Sequence, residues 1–139
     1  MILLDTNVVS EPLRQAPEAR VVEWIDAQPM ETLFLSSITV AELRAGVALL
    51  PAGKRRSGLQ ESLEKRVLSL FAGRVLPFDL ACTQAYATLV SKARAAGVSI
   101  ATADGYIAAI AAANGLSVAT RDTGPFRASG VAVINPWQA

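Results

Sequence analysis

Twelve carboxylates and no histidine set the terms for any chemistry this chain performs. Without imidazole there is no Ser–His–Asp or Cys–His nucleophile system, no histidine general base and no His-ligated zinc or haem. The lone cysteine, Cys82, makes no intrachain disulfide and no cysteine-rich metal site. In its apolar helical surroundings it reads as core. Oxygen chemistry remains, and carboxylates, hydroxyls and amides favour a hard cation such as Mg2+ or Mn2+. Five acids stand where such chemistry could gather. Asp5 closes the run Ile2-Leu3-Leu4, Asp79 follows Val75-Leu76-Pro77-Phe78, and Asp122 lies two residues past Thr120. Glu42 and Asp104 stand early in helical segments. Grouped carboxylates repel one another and lose solvation, and a divalent cation offsets both effects.

The elements that must position these acids alternate along the chain. Short apolar runs predict strands at Ile2–Leu4, Leu33–Ser36, Val75–Phe78, Ser117–Thr120 and Val131–Ile134. Pro77 places the third of them at a sheet edge, because proline cannot donate to a ladder. Between them, a short turn near Ser10–Arg14 and helices over Glu18–Ala27, Val40–Leu50, Lys54–Phe71, Asp79–Ala96 and Ala103–Ala113 are expected. In the long segment Lys54–Phe71, Leu59, Leu63, Val67, Leu70 and Phe71 form one apolar stripe. Gly97 reads as the C-cap of the Asp79–Ala96 helix. Ala103–Ala113 is apolar nearly all round and is expected to be buried. Strands separated by helices imply parallel pairing with right-handed crossovers. The expected fold is a three-layer α/β/α domain with a roughly five-stranded parallel sheet, in one unit over residues 1–139. In such folds ligands bind outside the carboxyl ends of the strands, where these acids fall.

Each acid also has a purely structural reading. Thr39 and Glu42 have the spacing of a capping box. Asp104 in a first helical turn suits the helix dipole, Asp79 reads as an N-cap, and Asp122 in Arg121-Asp122-Thr123-Gly124 reads as a turn residue. Asp5 is the hardest to explain this way, since no helix is expected to start directly after it.

Composition limits the partners. Thirteen Lys and Arg against twelve acids leave a formal charge of +1, so no overall field holds nucleic acid or membrane. No apolar stretch approaches the roughly 18 residues of a membrane span, and the chain is expected to be cytoplasmic. Arg44, Arg121 and Arg127 fall near the acid edge and read either as nucleic-acid contacts or as solvated charges, as does the run Lys54-Arg55-Arg56. Trp24 and Trp137 read as packing anchors or as stacking platforms for bases. Phe34, Phe71 and Phe78 read as core.

Four motifs occur in order: Leu3-Leu4-Asp5-Thr6-Asn7, Ile38-Thr39-Val40-Ala41-Glu42-Leu43, Ala103-Asp104-Gly105-Tyr106-Ile107-Ala108 and Ala119-Thr120-Arg121-Asp122. With Leu76-Pro77-Phe78-Asp79 and Asn135-Pro136-Trp137, the chain resembles the PIN domain of VapC-type toxins along essentially its whole length. The resemblance implies an Mg2+-dependent endoribonuclease (Mn2+ also fits) that is the toxin of a toxin–antitoxin pair. Asp5, Glu42 and Asp104 match the family's metal-site acids, and Asp122 matches a fourth position where many relatives carry Asn. Asn7 and Thr120 match polar positions lining the pocket. The resemblance further implies a homodimer and a small VapB-like antitoxin whose C-terminal segment crosses the active-site groove. The antitoxin would carry the operator-DNA-binding region, so DNA is met only through it. A non-catalytic subunit of an antitoxin–operator repressor complex is the alternative. A phosphoaspartate receiver or dehalogenase-like phosphatase fits less well: no Lys follows Lys92, and Asn7 stands where the phosphatase needs a second Asp.

Overall fold

The computed structural model describes residues 1–139. Five short strands, β1 (Ile2–Leu4), β2 (Leu33–Ser36), β3 (Val75–Leu76), β4 (Ser117–Ala119) and β5 (Val133–Ile134), form one sheet in the order β3-β2-β1-β4-β5. Every pairing is parallel, with Leu3 opposite Phe34 on one side and Val118 on the other. The three-layer expectation therefore holds, and the Pro77 segment does lie at an edge. β1 is central, and strand order runs outward from it in opposite directions. That reversal opens a crevice at the carboxyl ends of β1 and β4, the place where open parallel sheets bind ligands.

Both faces of the sheet are covered, which is why its strands are apolar throughout rather than alternating. Adjacent strand residues point to opposite faces, so Leu3 and Val118 enter one core while Leu4 and Ala119 enter the other. The first core packs under α5 (Leu80–Ala95), α6 (Thr102–Asn114) and α7 (Thr123–Ala128) through Cys82, Leu89, Ile107, Ile110 and Phe126. The second packs under α1 (Thr6–Ser10), α2 (Ala19–Ala27), α3 (Ser37–Ala48) and the segment after α4 (Lys54–Glu61), through Val8, Val21, Leu43, Leu63 and Phe71. Cys82 is core as expected, and Trp24 and Trp137 pack half-buried on the second cluster. No helix is long and apolar enough to cross a membrane.

α7 stands where only a turn at Asp122 was expected, the third and fifth strands are two residues shorter than expected, and three further boundaries differ. A helix starts directly after Asp5, which is its N-cap: Asp5 Oδ1 accepts from the Thr6 N–H at 2.8 Å. The five residues of α1 are too few to show a helical period. α3 begins at Ser37 rather than Val40, because Ser36 Oγ accepts from the Thr39 N–H at 3.0 Å and caps it there. The long Lys54–Phe71 helix is interrupted: α4 ends at Glu61, a π turn spans Ser62–Val67 and a 3-10 turn spans Leu68–Phe71. The wide and then tight turns rotate Phe71 into the core just before β3 and leave Leu70 52% exposed, off the expected stripe. α6 is buried as expected and ends at Gly115, whose φ of 67° lies in the left-handed region that glycine occupies without strain. Near its start, Gly105 leaves room for α5: a Cβ there would stand 2.9 Å from Tyr86 Cε1.

Candidate functional site

The crevice between β1 and β4 brings the chain's acids together from four elements. Asp5 stands at the end of β1, where its N–H donates to the Ala119 carbonyl at 2.9 Å and locks it beside β4. The residue is only 4% exposed. Oδ1 accepts from the Thr6 N–H, and Oδ2 accepts from the Thr120 hydroxyl at 2.8 Å. Burial nevertheless pushes its pKa up to about 6; those two hydrogen bonds oppose the rise, and the nearby charges of Asp104 and Glu42 add to it. Asp104, in the first turn of α6, is also raised, first by burial and then by the charges of Asp122 and Glu42. Asp5, Glu42, Asp104 and Asp122 therefore share one electrostatic neighbourhood. The four do not lie on separate faces.

No Lys or Arg neutralises any of the four. The ion pairs of the structure are Arg14–Glu11, Arg44–Glu64 and Lys65–Glu61, all elsewhere. Carboxylates held close without a protein cation are the donor set that a hard divalent ion fits. The acids are not, however, drawn into a finished ligand sphere, since no three of them close on a common point. Mg2+ suits such a looser site, because it keeps several of its waters and takes one or two carboxylates directly.

The structural readings of the acids divide. Asp79 is the N-cap of α5, accepting from the Cys82 N–H at 3.3 Å, and that hydrogen bonding holds its carboxyl below the ordinary range. The capping-box reading of Glu42 fails: with α3 capped by Ser36, Glu42 lies a full turn further in. Its Oε1 instead accepts from the Thr6 hydroxyl at 2.6 Å, and Thr6 shares a second hydrogen bond, 3.1 Å, with the buried Thr39. Sequence reasoning left Thr6 unassigned and read Thr39 only as a helix cap, although both stand inside the quoted motifs. A lone hydroxyl carries no periodicity or charge signal, and only the packing of α1 against α3 reveals the contact.

Asn7 and Thr120 join the two halves of the crevice. Asn7 Nδ2 donates to Thr120 Oγ1 at 3.4 Å, and Asn7 Oδ1 accepts from the Arg121 N–H at 3.3 Å. Thr120 Oγ1 also accepts from the Asp122 N–H at 3.0 Å. Thr120 is fully buried. It is thus a junction between Asp5, Asn7 and the Asp122 backbone rather than a free lining residue. Arg44 pairs with Glu64 rather than Glu42, through two contacts of 2.8 and 3.2 Å. A cavity of about 370 Å³ lies between α3 and α4, lined by Arg44, Val47, Arg56 and Leu63 among others, and contains none of the four acids.

Comparison with known proteins gives the family and relatives over the whole chain. The family model described as PIN domain matches residues 2–131. The chain is 66% identical over 139 residues, the whole of both proteins, to the plasmid stability protein StbB of Pseudomonas syringae pv. tomato. It is 58% identical over 138 residues to VapC ribonuclease Y4jK of Sinorhizobium fredii and 59% identical over 137 residues to toxin FitB of Neisseria gonorrhoeae, covering 99% of each chain in both cases. The crystal structure of FitAcB from Neisseria gonorrhoeae superposes with a TM-score of 0.97 at 58% identity, over all of both chains. A structure of FitAB bound to an IR36 DNA fragment superposes with a TM-score of 0.96 at 57% identity, over 99% of this chain and 96% of that one.

Proposed function

The chain belongs to the PIN-domain family, and on that premise we propose that it is the toxin of a toxin–antitoxin pair, a metal-dependent endoribonuclease. The observation that carries the reading is the Asp5–Glu42–Asp104–Asp122 neighbourhood, in which burial and mutual repulsion raise Asp5 and Asp104 and no protein cation intervenes. Asp5 and Asp104 would hold a divalent ion, Mg2+ or Mn2+, with Glu42 and Asp122 completing or orienting the set. When bound, such an ion activates water as a nucleophile and neutralises charge growing on the phosphoryl oxygens. The chain's own residues prepare that step. Thr120 and the Thr6 N–H fix both oxygens of Asp5, so its carboxylate needs no reorientation. The Thr6 hydroxyl holds Glu42 at the rim, keeping one carboxylate oxygen engaged and leaving the other for water or ion. Without histidine, Glu42 or Asp122 is the acceptor for the proton that the attacking water gives up.

The relatives supply the setting. FitB and Y4jK are a toxin and a ribonuclease by name, and FitB occurs in complexes with its partner and with DNA. The corresponding partner here is a small antitoxin of the VapB or FitA kind. Its C-terminal segment crosses the acid crevice and brings a cation there in competition with the metal, and operator DNA is bound through it. The toxin acts as a homodimer of single 1–139 units on cytoplasmic RNA.

Cleavage of total cellular RNA by the antitoxin-free chain tests this, with Mg2+, with Mn2+ and with chelator, beside Asp5→Asn and Asp104→Asn. Metal-dependent cleavage lost in both variants is the expected result. Equal cleavage by wild type and variants would identify a contaminant. No cleavage, together with tight antitoxin and operator binding, would move the chain to the repressor-subunit reading.

A further inference from the structure

The three arginines near the acid edge meet three different fates. Arg44 is neutralised by Glu64. Arg127 lies exposed in the last turn of α7, with neither an ion pair nor a ring beneath it. Arg121 is free of acids yet held in place. Its guanidinium carbon sits 5.2 Å from the centroid of the Trp137 ring. Its backbone N–H donates to Asn7 Oδ1. Its chain neighbours are Thr120, which donates to Asp5, and Asp122. Although Asp122 is adjacent, Arg121 makes no ion pair with it. Trp137 is itself anchored: it packs half-buried on the second core, its N–H donates to Asn135 Oδ1 at 2.9 Å, and its carbonyl accepts from Arg20 Nη1 at 2.9 Å.

We propose that Arg121, seated over Trp137, binds a backbone phosphate of the RNA at the rim of the acid crevice. The inference rests on the ribonuclease reading and names the group that holds its substrate. An acid-lined crevice repels phosphate, so RNA needs a cation on the rim that no carboxylate already neutralises. Arg121 meets that condition. A guanidinium over an aromatic face keeps its donors at its edges, where they match phosphate oxygens in pairs, and the ring restricts the side chain before the ligand arrives. Since Arg121 covers that face of Trp137, the indole supports the cation rather than stacking a base.

The test measures RNA binding apart from cleavage. Every protein carries Asp104→Asn, which blocks the reaction, and the probe is a fluorescein-labelled mixed-sequence single-stranded RNA followed by anisotropy. Adding Arg121→Gln should weaken binding about tenfold and reduce the slope of log K against log salt by about 0.7, the loss of one phosphate contact on a single strand. Arg121→Lys should recover only part of the affinity, and Trp137→Leu should weaken binding less than Arg121→Gln. Arg127→Gln should stay within about twofold of the parent. With Asp104 restored, Arg121→Gln should raise KM while kcat changes little. Thermal unfolding of each variant separates a binding defect from a folding defect. Unchanged affinity and salt slope in a folded Arg121→Gln would overturn the proposal while wild-type cleavage stood. Loss of antitoxin binding with RNA binding intact would also overturn it, assigning Arg121 to the protein partner. If the wild type neither binds nor cuts RNA, the ribonuclease reading falls first and this inference with it.

Discussion

Two carboxylates six residues apart are buried to the same degree and held in opposite ways. Asp5 is 4% exposed and Glu11 3%. Glu11 accepts from Arg14 at 3.2 Å and from the Glu18 N–H at 3.1 Å, so it ties the 3-10 turn Glu11–Leu13 to the start of α2. Asp5 receives two hydrogen bonds of similar quality but no cation, and its nearest charges are other acids. Burial alone therefore does not mark a functional carboxylate. A buried acid supplied with its own cation is finished structure. One surrounded by further acids is a costly anion until an ion arrives from outside.

The contrast can be broken most severely at Asp5. Asp5→Asn should lower RNA cleavage by roughly 10²–10³-fold, the order expected for removing one preorganised electrostatic partner, measured in single-turnover assays. The same variant should be as stable as wild type in chelator at pH 7.5, or more stable, since the charge removed is an unfavourable one. Loss of stability on that substitution would place Asp5 with Glu11 and remove the distinction.

The pH dependence of stability follows from the same residue. The folded-state pKa of about 6 lies above the 3.8 of the free side chain, so the folded chain holds this proton more tightly. The stability gained from that proton is complete below about pH 4 and is lost as pH rises through about 6. In chelator, the Asp5 contribution to unfolding free energy should fall by at most about 3 kcal/mol across that window. The fall should be absent in Asp5→Asn and reduced by Mg2+. Urea melts at pH 4, 5, 6 and 7 read it directly, and parallel curves for wild type and variant would contradict it.

Glu11→Ala should show the reverse profile. It strips a partner from Arg14 and from the Glu18 N–H, and a cost of about 2 kcal/mol is expected, lowering Tm by about 4–8 °C. RNA cleavage by the folded fraction should stay within a few-fold of wild type. Thr120→Val sits between the two cases. Removing one of the hydrogen bonds that oppose the rise of Asp5 should move its titration higher and weaken activation by Mg2+ about tenfold, the lower end of the worth of one hydrogen bond to a charged group. Metal titrations of activity check this. The smallest effect belongs to Leu70→Gln, at the exposed position outside both cores, which should change stability by less than about 0.5 kcal/mol.

How much of this was legible beforehand depends on which force wrote each feature. The five strands are short apolar runs because both sheet faces are covered, and burial on both sides leaves a plain signal in composition. Asp79 was legible as a cap because α5 is long enough to show where it starts. The cap at Asp5 was hidden by the shortness of α1. The start of α3 was misplaced because Ser36 and Thr39 are both good capping residues, and only the chain's exit from β2 selects Ser36. The interruption at Ser62–Val67 left no mark, since the stripe of leucines fits an unbroken helix equally well and the deviation is imposed by the approach to β3. Five acids could be placed near one sheet edge because strand ends converge in a parallel sheet, and the resemblance, not the geometry, singled out four of them. Their hydroxyl supports, Thr6 and Thr39, could not be placed, because contacts between α1 and α3 depend on how far apart two covering helices lie.

Strand order also decides when this molecule becomes dangerous during its own synthesis. β1 emerges from the ribosome first, yet it is completed on one side by β2 and on the other only by β4, more than a hundred residues later. Asp5 waits for Thr120, and Asp104 and Asp122 come from the last third of the chain. A nascent or prematurely terminated chain that stops short of β4 thus holds scattered acids and no assembled acid crevice. Competence arrives only near the end of translation, through a long-range closure of the kind that folds slowly. On the proposed reading, that delay gives an antitoxin partner time to be ready before the toxin is.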